Sequence, residues 1–175
     1  MKTFKNIFGL LLCTALVTLS ACSKDDDGDG GSNLDGVPSG EIVSAEFRNV
    51  VLTGYTDLES GEGTQRWWTH VISDFNFNSE DCGDDFSYED TGYYAWYPDG
   101  SYYVKTSLNG SPTQVGEWEW ANSSKTRIYI YNYSNGSEGE MTVTYLNDNN
   151  VVYGSYQSGG GCSLTTYEQF NNPIE

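Results

Sequence analysis

The sequence predicts an all-β domain, an antiparallel up-and-down barrel or half-barrel of eight strands, with a β-sandwich as the alternative architecture. From residue 41 onward no stretch carries apolar residues at a sustained helical spacing, whereas tyrosine, tryptophan, threonine and valine crowd into short runs. Turn-forming clusters separate these runs at intervals typical of a meander. Short strands in series favour a barrel or sandwich over any mixed fold.

The runs and their turns place the strands along the chain. The clearest turn is Tyr97–Gly100, where Pro98 presets the backbone for the second turn position and Gly100 accepts the positive φ of a tight hairpin. The expected strands are Ile42–Phe47 with a continuation to Tyr55, Arg66–Ile72, Tyr93–Tyr97, Ser101–Ser107, Val115–Trp120, Arg127–Tyr133, Met141–Leu146, Val151–Gln157 and Leu164–Phe170.

Alternation assigns the faces of two of these strands. Trp118 and Trp120 share one face and Glu117 and Glu119 the other, which predicts tryptophans inward and carboxylates in water. The strand Arg127–Tyr133 carries tyrosines on one face and isoleucines on the other. Two bulky faces indicate either a strand that packs on both sides or a barrel with an open interior.

Residues 1–21 are predicted to be a secretory signal peptide, because two lysines precede an apolar run, Ile7–Leu19, that is too short to span a bilayer as a stable helix. The junction Leu19–Cys22 resembles a bacterial lipobox, in which the cysteine is acylated and becomes the first residue of the mature chain. The acidic run Asp25–Asp27 resembles the export signal of surface lipoproteins in the Bacteroidota. These resemblances imply a palmitate-type lipid anchor on Cys22 and an exposed position on the outer membrane.

Composition divides the rest of the chain into two parts. Residues 22–40 are mainly Asp, Gly and Ser and predict a flexible acidic tether, and residues 41–175 form the folded domain. Eight basic residues against 25 acidic ones give a net charge of −17. Such a charge disfavours nucleic acid and repels anionic headgroups, so we expect membrane attachment through the lipid alone.

Few residue types suited to catalysis or metal binding are present. Cys82 and Cys162 are the two cysteines left in the folded part, and outside the inner membrane we expect them to form a disulfide. His70 is the only histidine, which excludes multi-histidine metal sites and favours a packed or hydrogen-bonded role over a catalytic one. The acidic run Glu80–Asp85 is either a solvated loop or a source of calcium ligands. No metal, cofactor or catalytic residue is assigned.

Several motifs together resemble the lipocalin-like domain common in Bacteroidota lipoproteins. They are the aromatic run 94–102 that ends its first strand at Asp-Gly, the Gly-x-Trp of residues 116–118, the apolar strand 127–130 and the valine-rich segment 143–152. The resemblance covers residues 80–157 and implies an eight-stranded antiparallel barrel. It implies no defined reaction, because function depends on sites and not on folds. Gly116 is interpreted as a packing device that admits Trp118.

Aromatic side chains are the main candidates for ligand binding. Trp67 and Trp68 are adjacent on a strand, so one of them is expected to face outward and be exposed. The leading hypothesis is a non-enzymatic binding module for a small apolar ligand or a glycan, and the alternative is an accessory or structural surface protein that acts through a protein partner. The sequence does not indicate the oligomeric state. The candidate ligand-binding residues are Trp67, Trp68, Trp96, Trp118 and Trp120.

Overall fold

A computed structural model describes residues 34–174 of the protein. The predicted signal peptide, the predicted acylation site Cys22 and the tether up to residue 33 lie outside the described residues. Within the described range, no helix is both long enough and apolar enough to cross a bilayer.

The described chain consists of strands and one short helix. In chain order they are α1 (Arg48–Thr53), β1 (Tyr55–Asp57), β2 (Glu62–Gly63), β3 (Trp67–Phe77), β4 (Phe86–Tyr88), β5 (Tyr93–Trp96), β6 (Ser101–Lys105), β7 (Thr113–Trp120), β8 (Arg127–Asn132), β9 (Glu138–Leu146), β10 (Asn150–Gly159) and β11 (Cys162–Ile174).

Eight strands close into one antiparallel barrel in the order β3, β5, β6, β7, β8, β9, β10, β11, and β11 pairs back onto β3. This closing seam runs from the pair Leu164–Phe77 to the pair Ile174–Trp67. Strand β4 pairs with β3 beyond the end of β5, and β1 and β2 form a separate hairpin. Closure gives every barrel strand a hydrogen-bonded neighbour on both sides. The predicted barrel is confirmed, and the sandwich alternative is wrong.

The strand expected from Ile42 to Tyr55 is wrong over most of its length. The chain forms helix α1 instead, and Gly54 ends it at φ 87° with its amide donating to the carbonyl of Val50. Valines favour a strand locally, but Val51 and Leu52 are buried in the main core at one end of the barrel. Tertiary burial therefore overrides the local preference.

The end of the segment predicted as a tether lies against β9 and β10. The hydroxyl of Thr144 donates a 2.8 Å hydrogen bond to the carbonyl of Pro38, and the amide of Gly40 donates to the carbonyl of Thr144. Val37 is buried, and it lies beside Gly154 of β10. Contacts with the barrel therefore begin before Glu41.

The predicted hairpin turn between β5 and β6 is confirmed. The amide of Gly100 donates to the carbonyl of Tyr97 at 3.1 Å, and Gly100 has a φ of 85°. The amide of Ser101 donates to Oδ1 of Asp99 at 2.9 Å, which fixes the turn from its own side chain. These bonds set the register in which Trp96 faces Tyr102 across the two strands.

Candidate functional site: a cup in the barrel

The two ends of the barrel differ in what fills them. Helix α1 covers the end at which β3 begins and β5 and β9 end, and contacts both β5 and β9. Inward-facing side chains at this end are large and buried, and they form one continuous core. This capped end closes the barrel beneath any internal binding space. This core includes Val51 and Leu52 of the helix together with Trp68, Trp96, Trp118, Val143, Leu146 and Val151 of the strands.

Both members of the pair Trp67–Trp68 are buried, so the expected exposed indole is wrong. Trp68 faces the interior and is 0% exposed, while Trp67 faces outward but is only 6% exposed. Lys105 covers Trp67 with its Nζ 3.8 Å from the ring centroid, and Tyr97 packs edge-on at 6.0 Å. The two rings do point to opposite faces of the strand, as alternation predicts. On the outer face, however, Lys105 and Tyr97 cover Trp67.

Three of the tryptophans tie their indole N–H groups to nearby protein oxygens, which fixes them as structural parts of the capped end. By contrast, Nε1 of the fully buried Trp96 has no hydrogen-bond partner among the described residues. The bonds are Trp68 to the Leu52 carbonyl at 2.8 Å, Trp118 to the Tyr97 carbonyl at 2.8 Å and Trp120 to Asn49 Oδ1 at 2.9 Å.

Toward the other end, inward-facing positions carry a glycine on β9 and hydroxyl side chains on β10 and β11, while β3 contributes Phe75 opposite Thr166. Gly139 lies directly opposite the buried Ile130, and Ser155 lies opposite Thr166, with their hydroxyl oxygens 3.0 Å apart. A Cβ built on Gly139 meets no atom within 4 Å. Ser155 and Thr166 are only half-buried, as is the next inward residue of β11, Glu168. We refer to the interior at this end, beside Gly139, Ser155, Thr166, Glu168 and Phe75, as the cup.

Aromatic rings form the floor of the cup. Tyr94 packs against Tyr102 with ring centroids 5.8 Å apart, and Phe170 lies 5.5 Å from Tyr94 and 5.7 Å from Tyr153. Met141, half-buried and opposite the inward-facing Ile128, packs against the same core. Burial, followed by nearby acidic charge, raises the pKa of the Tyr102 and Tyr153 hydroxyls well above its ordinary value. These hydroxyls therefore stay neutral and serve as hydrogen-bonding groups.

Glu168 places a carboxyl group just above this floor. The hydroxyl of Tyr153, directly across from it on β10, donates a 2.7 Å hydrogen bond to its Oε2. Burial raises the pKa of Glu168, and the charge of Asp90 raises it further, while the bond from Tyr153 opposes both. Its charge also contributes to raising the pKa of Tyr88 and Tyr94, after burial as the main cause. The carboxyl therefore lies near side chains of β4, β5 and β10.

A bulge in β3 brings His70 and Ser73 together on the inner face. Phe170 pairs with His70 and Gln169 with Ile72, which leaves the residue between them without a partner on β11. Residues three apart on a regular strand face opposite ways, and the bulge removes that difference. Nε2 of His70 lies 3.0 Å from Oγ of Ser73, and both residues are buried. The prediction of a packed, hydrogen-bonded histidine is confirmed.

Asp90 completes an arrangement that superficially matches a Ser-His-Asp triad. Its Oδ1 lies 3.6 Å from Nδ1 of His70, but its backbone amide donates to that same nitrogen at 3.3 Å. Burial lowers the pKa of His70, so the ring is neutral, and an occupied Nδ1 lone pair places the proton on Nε2. Nε2 then donates to Ser73 and cannot take its proton. The carboxylate is itself engaged by the amide of Gly92 and the hydroxyl of Tyr94, both at 2.6 Å.

The rim of the cup carries exposed aromatic rings and a disulfide. Phe86 and Tyr88 of β4 are 52% and 49% exposed, although Phe86 stacks on Phe75 with centroids 4.4 Å apart. The predicted disulfide between Cys82 and Cys162 is confirmed, with Cα atoms 5.6 Å apart. It joins the segment leading into β4 to the hairpin between β10 and β11. The rim is therefore cross-linked beside its most exposed apolar groups.

A second concave region lies on the outer surface of β6, β7 and β8. It is a shallow groove of about 310 Å³ in which carboxylates and a tyrosine are the main functional groups. Neighbouring tyrosines bind its acidic side chains, as in the 2.6 Å bond that Tyr133 donates to Glu117. The groove is lined by Asp99, Gly100, Ser101, Gln114, Glu117, Trp118, Glu119 and Tyr129.

Within residues 34–174, no three or more His, Cys, Asp or Glu side chains are grouped so as to hold a metal ion, and this includes the acidic run beside Cys82. No protein-family model matches the chain, and no curated protein matches it either. Sequence reasoning singled out the tryptophans and missed Glu168, Tyr94, Tyr102 and Tyr153. A charged residue at an inward position of the last strand is a signal that alternation alone could have supplied.

Proposed function

We propose that this protein is a lipid-anchored surface lipoprotein whose barrel is a non-enzymatic binding module for a small ligand that enters the cup. The observation that carries the proposal is Gly139, an inward-facing glycine whose missing side chain borders open space. Half-buried polar groups above an aromatic floor are typical of sites that orient a ligand through a few convergent contacts. The hydrogen-bonding pattern of His70 and Ser73 favours binding over nucleophilic catalysis.

The anchor is proposed on the junction Leu19–Cys22 alone, which lies outside the described residues. Cys22→Ser is expected to prevent acylation and release the protein from the membrane fraction. Labelling of cells with a fatty acid tests this expectation, because label that persists undiminished in the variant contradicts it.

The binding proposal is tested with N-phenyl-1-naphthylamine, a neutral fluorescent probe whose emission rises in apolar surroundings. We expect saturable binding to the Cys22→Ser protein purified without detergent. Gly139→Phe, which directs a ring into the cup, is expected to abolish it. Glu138→Phe is the matched control, because it adds the same ring to the neighbouring residue of β9, whose exposed side chain lies on the outer face. Binding that survives Gly139→Phe contradicts the proposal.

Glycan binding remains the second candidate, and the outer groove favours it. Tyr129 offers a ring for stacking, and Asp99, Glu117 and Glu119 offer oxygen acceptors for sugar hydroxyls. Tyr129→Ala is expected to remove retention on an oligosaccharide affinity column if this groove binds sugar. Retention unchanged by Tyr129→Ala contradicts a site in this groove.

A further inference from the structure

We propose that the cup selects an organic cation, an ammonium group on an apolar body, with the charge beside Glu168 and the body against the half-buried ring of Tyr94. This inference rests on the proposed function, because it names the ligand class of the same cup. It differs in its test, because charge selectivity can fail while binding in the cup is retained.

The first support is the combination of a carboxyl group and aromatic faces. Glu168 accepts from Tyr153 through Oε2, and Asp90 at the wall accepts from Tyr94 through Oδ2. Both acceptors are therefore oriented by tyrosines, and the half-buried ring of Tyr94 borders the interior, with the buried rings of Tyr102 and Tyr153 beneath it. A cation gains from a carboxylate and from aromatic faces at once, most strongly where water is partly excluded.

The second support is that the basic side chains of the described residues lie elsewhere. Arg48 and Arg66 donate to backbone carbonyls beside α1 at the capped end. Lys105 covers the outward-facing Trp67, and Arg127 pairs with Glu140 at 2.7 Å on the outer face. The remaining one, Lys125, lies in the turn between β7 and β8, again at the capped end.

The cup therefore has acidic groups without a positive partner among the described residues, and His70, its single basic ring, is neutral. An anionic ligand would meet uncompensated negative charge there. A neutral ligand would leave that charge as it is. A bound ammonium group instead supplies the countercharge and favours the ionised form of Glu168.

The test compares three molecules with one aromatic body and different head groups: 2-phenylethylamine, 2-phenylethanol and 3-phenylpropionate. By calorimetry on the Cys22→Ser protein at pH 7.5, we expect the amine to bind at least tenfold more tightly than the alcohol, and the acid to bind weakest. Glu168→Gln is expected to remove the preference for the amine while leaving the alcohol unchanged. The control is Glu138→Gln, because Glu138 also accepts a hydrogen bond from a tyrosine, Tyr129, but on the outer face.

Equal affinity for amine and alcohol overturns the inference, as does an equal loss in Glu168→Gln and Glu138→Gln. If the naphthylamine probe binds the cup normally in that case, only the charge selectivity has failed. If neither the probe nor any of the three molecules binds, the proposed function has failed with it. Glu168→Gln keeps the shape of the side chain and an acceptor for the Tyr153 hydroxyl, so the variant is expected to fold, and thermal unfolding by circular dichroism verifies this.

Discussion

The hydroxyl of Tyr153 donates a 2.7 Å hydrogen bond to Oε2 of Glu168 across two neighbouring barrel strands. This bond orients a carboxyl group into the barrel interior, one inward-facing position from the pair of Ser155 and Thr166. On one side of it lie the tryptophans of the capped end, and on the other lies the cup. This pair therefore lies where the packed core that stabilises the barrel borders the proposed binding space.

Glu168→Gln is expected to stabilise the protein at neutral pH. Burial raises the folded-state pKa of Glu168 above the unfolded value of 4.5, so the folded protein holds this proton more tightly than the unfolded chain. The resulting stability is present below about pH 4.5 and is lost as the pH rises through the folded pKa. Urea midpoints should show the advantage of the variant growing as the pH rises from 4.5 and levelling off above the folded pKa of Glu168. His70 contributes equally to the pH dependence of stability in both proteins, so its contribution cancels in the difference between them.

The outer-face variant Glu138→Gln is the control, because it removes one carboxylate without changing the interior. We expect its stability relative to wild type to show no such growth with pH. A wild-type protein more stable than Glu168→Gln at pH 8 would contradict the assignment of Glu168 to a costly environment.

Gly116→Ala is expected to destabilise the barrel, while Gly139→Ala is tolerated. A Cβ at Gly116 would lie 2.1 Å from the backbone oxygen of Tyr131, so strand β8 would have to move, whereas a Cβ at Gly139 meets nothing within 4 Å. We expect a loss of about 1–3 kcal/mol in the free energy of unfolding for Gly116→Ala, the usual range for overpacking. Chemical denaturation compares the two, and equal losses would contradict the open space at Gly139.

Cys82→Ser combined with Cys162→Ser is expected to lower the free energy of unfolding by about 4 kcal/mol, because the disulfide closes a loop with a sequence separation of 80 residues. Asn78 should keep the hairpin near its place, since its Oδ1 accepts from the amide of Ser163 at 3.0 Å. Urea denaturation measures the loss. Two free thiols in peptide maps of the wild-type protein would show that the bridge is not formed.

Neither Trp67→Phe nor Trp68→Phe is expected to remove a component of fluorescence that acrylamide quenches, because both indoles are buried. Trp68→Phe should also lower stability by about 1 kcal/mol, since its indole N–H donates to the carbonyl of Leu52. Trp67→Phe does not remove that hydrogen bond and serves as the comparison for stability. A quenchable component that disappears with either substitution would show that its ring is exposed.

Local signals in the sequence predicted the main strands, because alternation and turn chemistry act within a few residues. Tyr97–Gly100 is an example, with Pro98 and the positive φ of Gly100 fixing the hairpin. Helix α1 was missed because Val50–Leu52 favours a strand until the barrel end buries it. The approach of His70 to Ser73 depends on a bulge opposite Phe170, which only the pairing of β3 with β11 reveals.

The cup was missed for a related reason. Trp67 and Trp68 drew attention as exposed candidates, yet Lys105 covers one and the core covers the other. Composition does not reveal that a glycine such as Gly139 faces inward. Its importance depends on which side chains face it across the barrel. Long-range register, and not local propensity, determines where the interior is open.

The most direct test of the central claim, that the cup binds a small ligand, uses the methyl group of Met141. The sequence has two methionines, Met1 and Met141, so a mature chain that begins at Cys22 contains this one alone. Carbon-13 labelling of methionine methyl groups then gives a single resonance from the half-buried residue beside the floor. Titration with 2-phenylethylamine is expected to shift it saturably, and Gly139→Phe is expected to abolish the shift. A resonance that stays in place while calorimetry detects binding would place the ligand outside the cup and contradict the account.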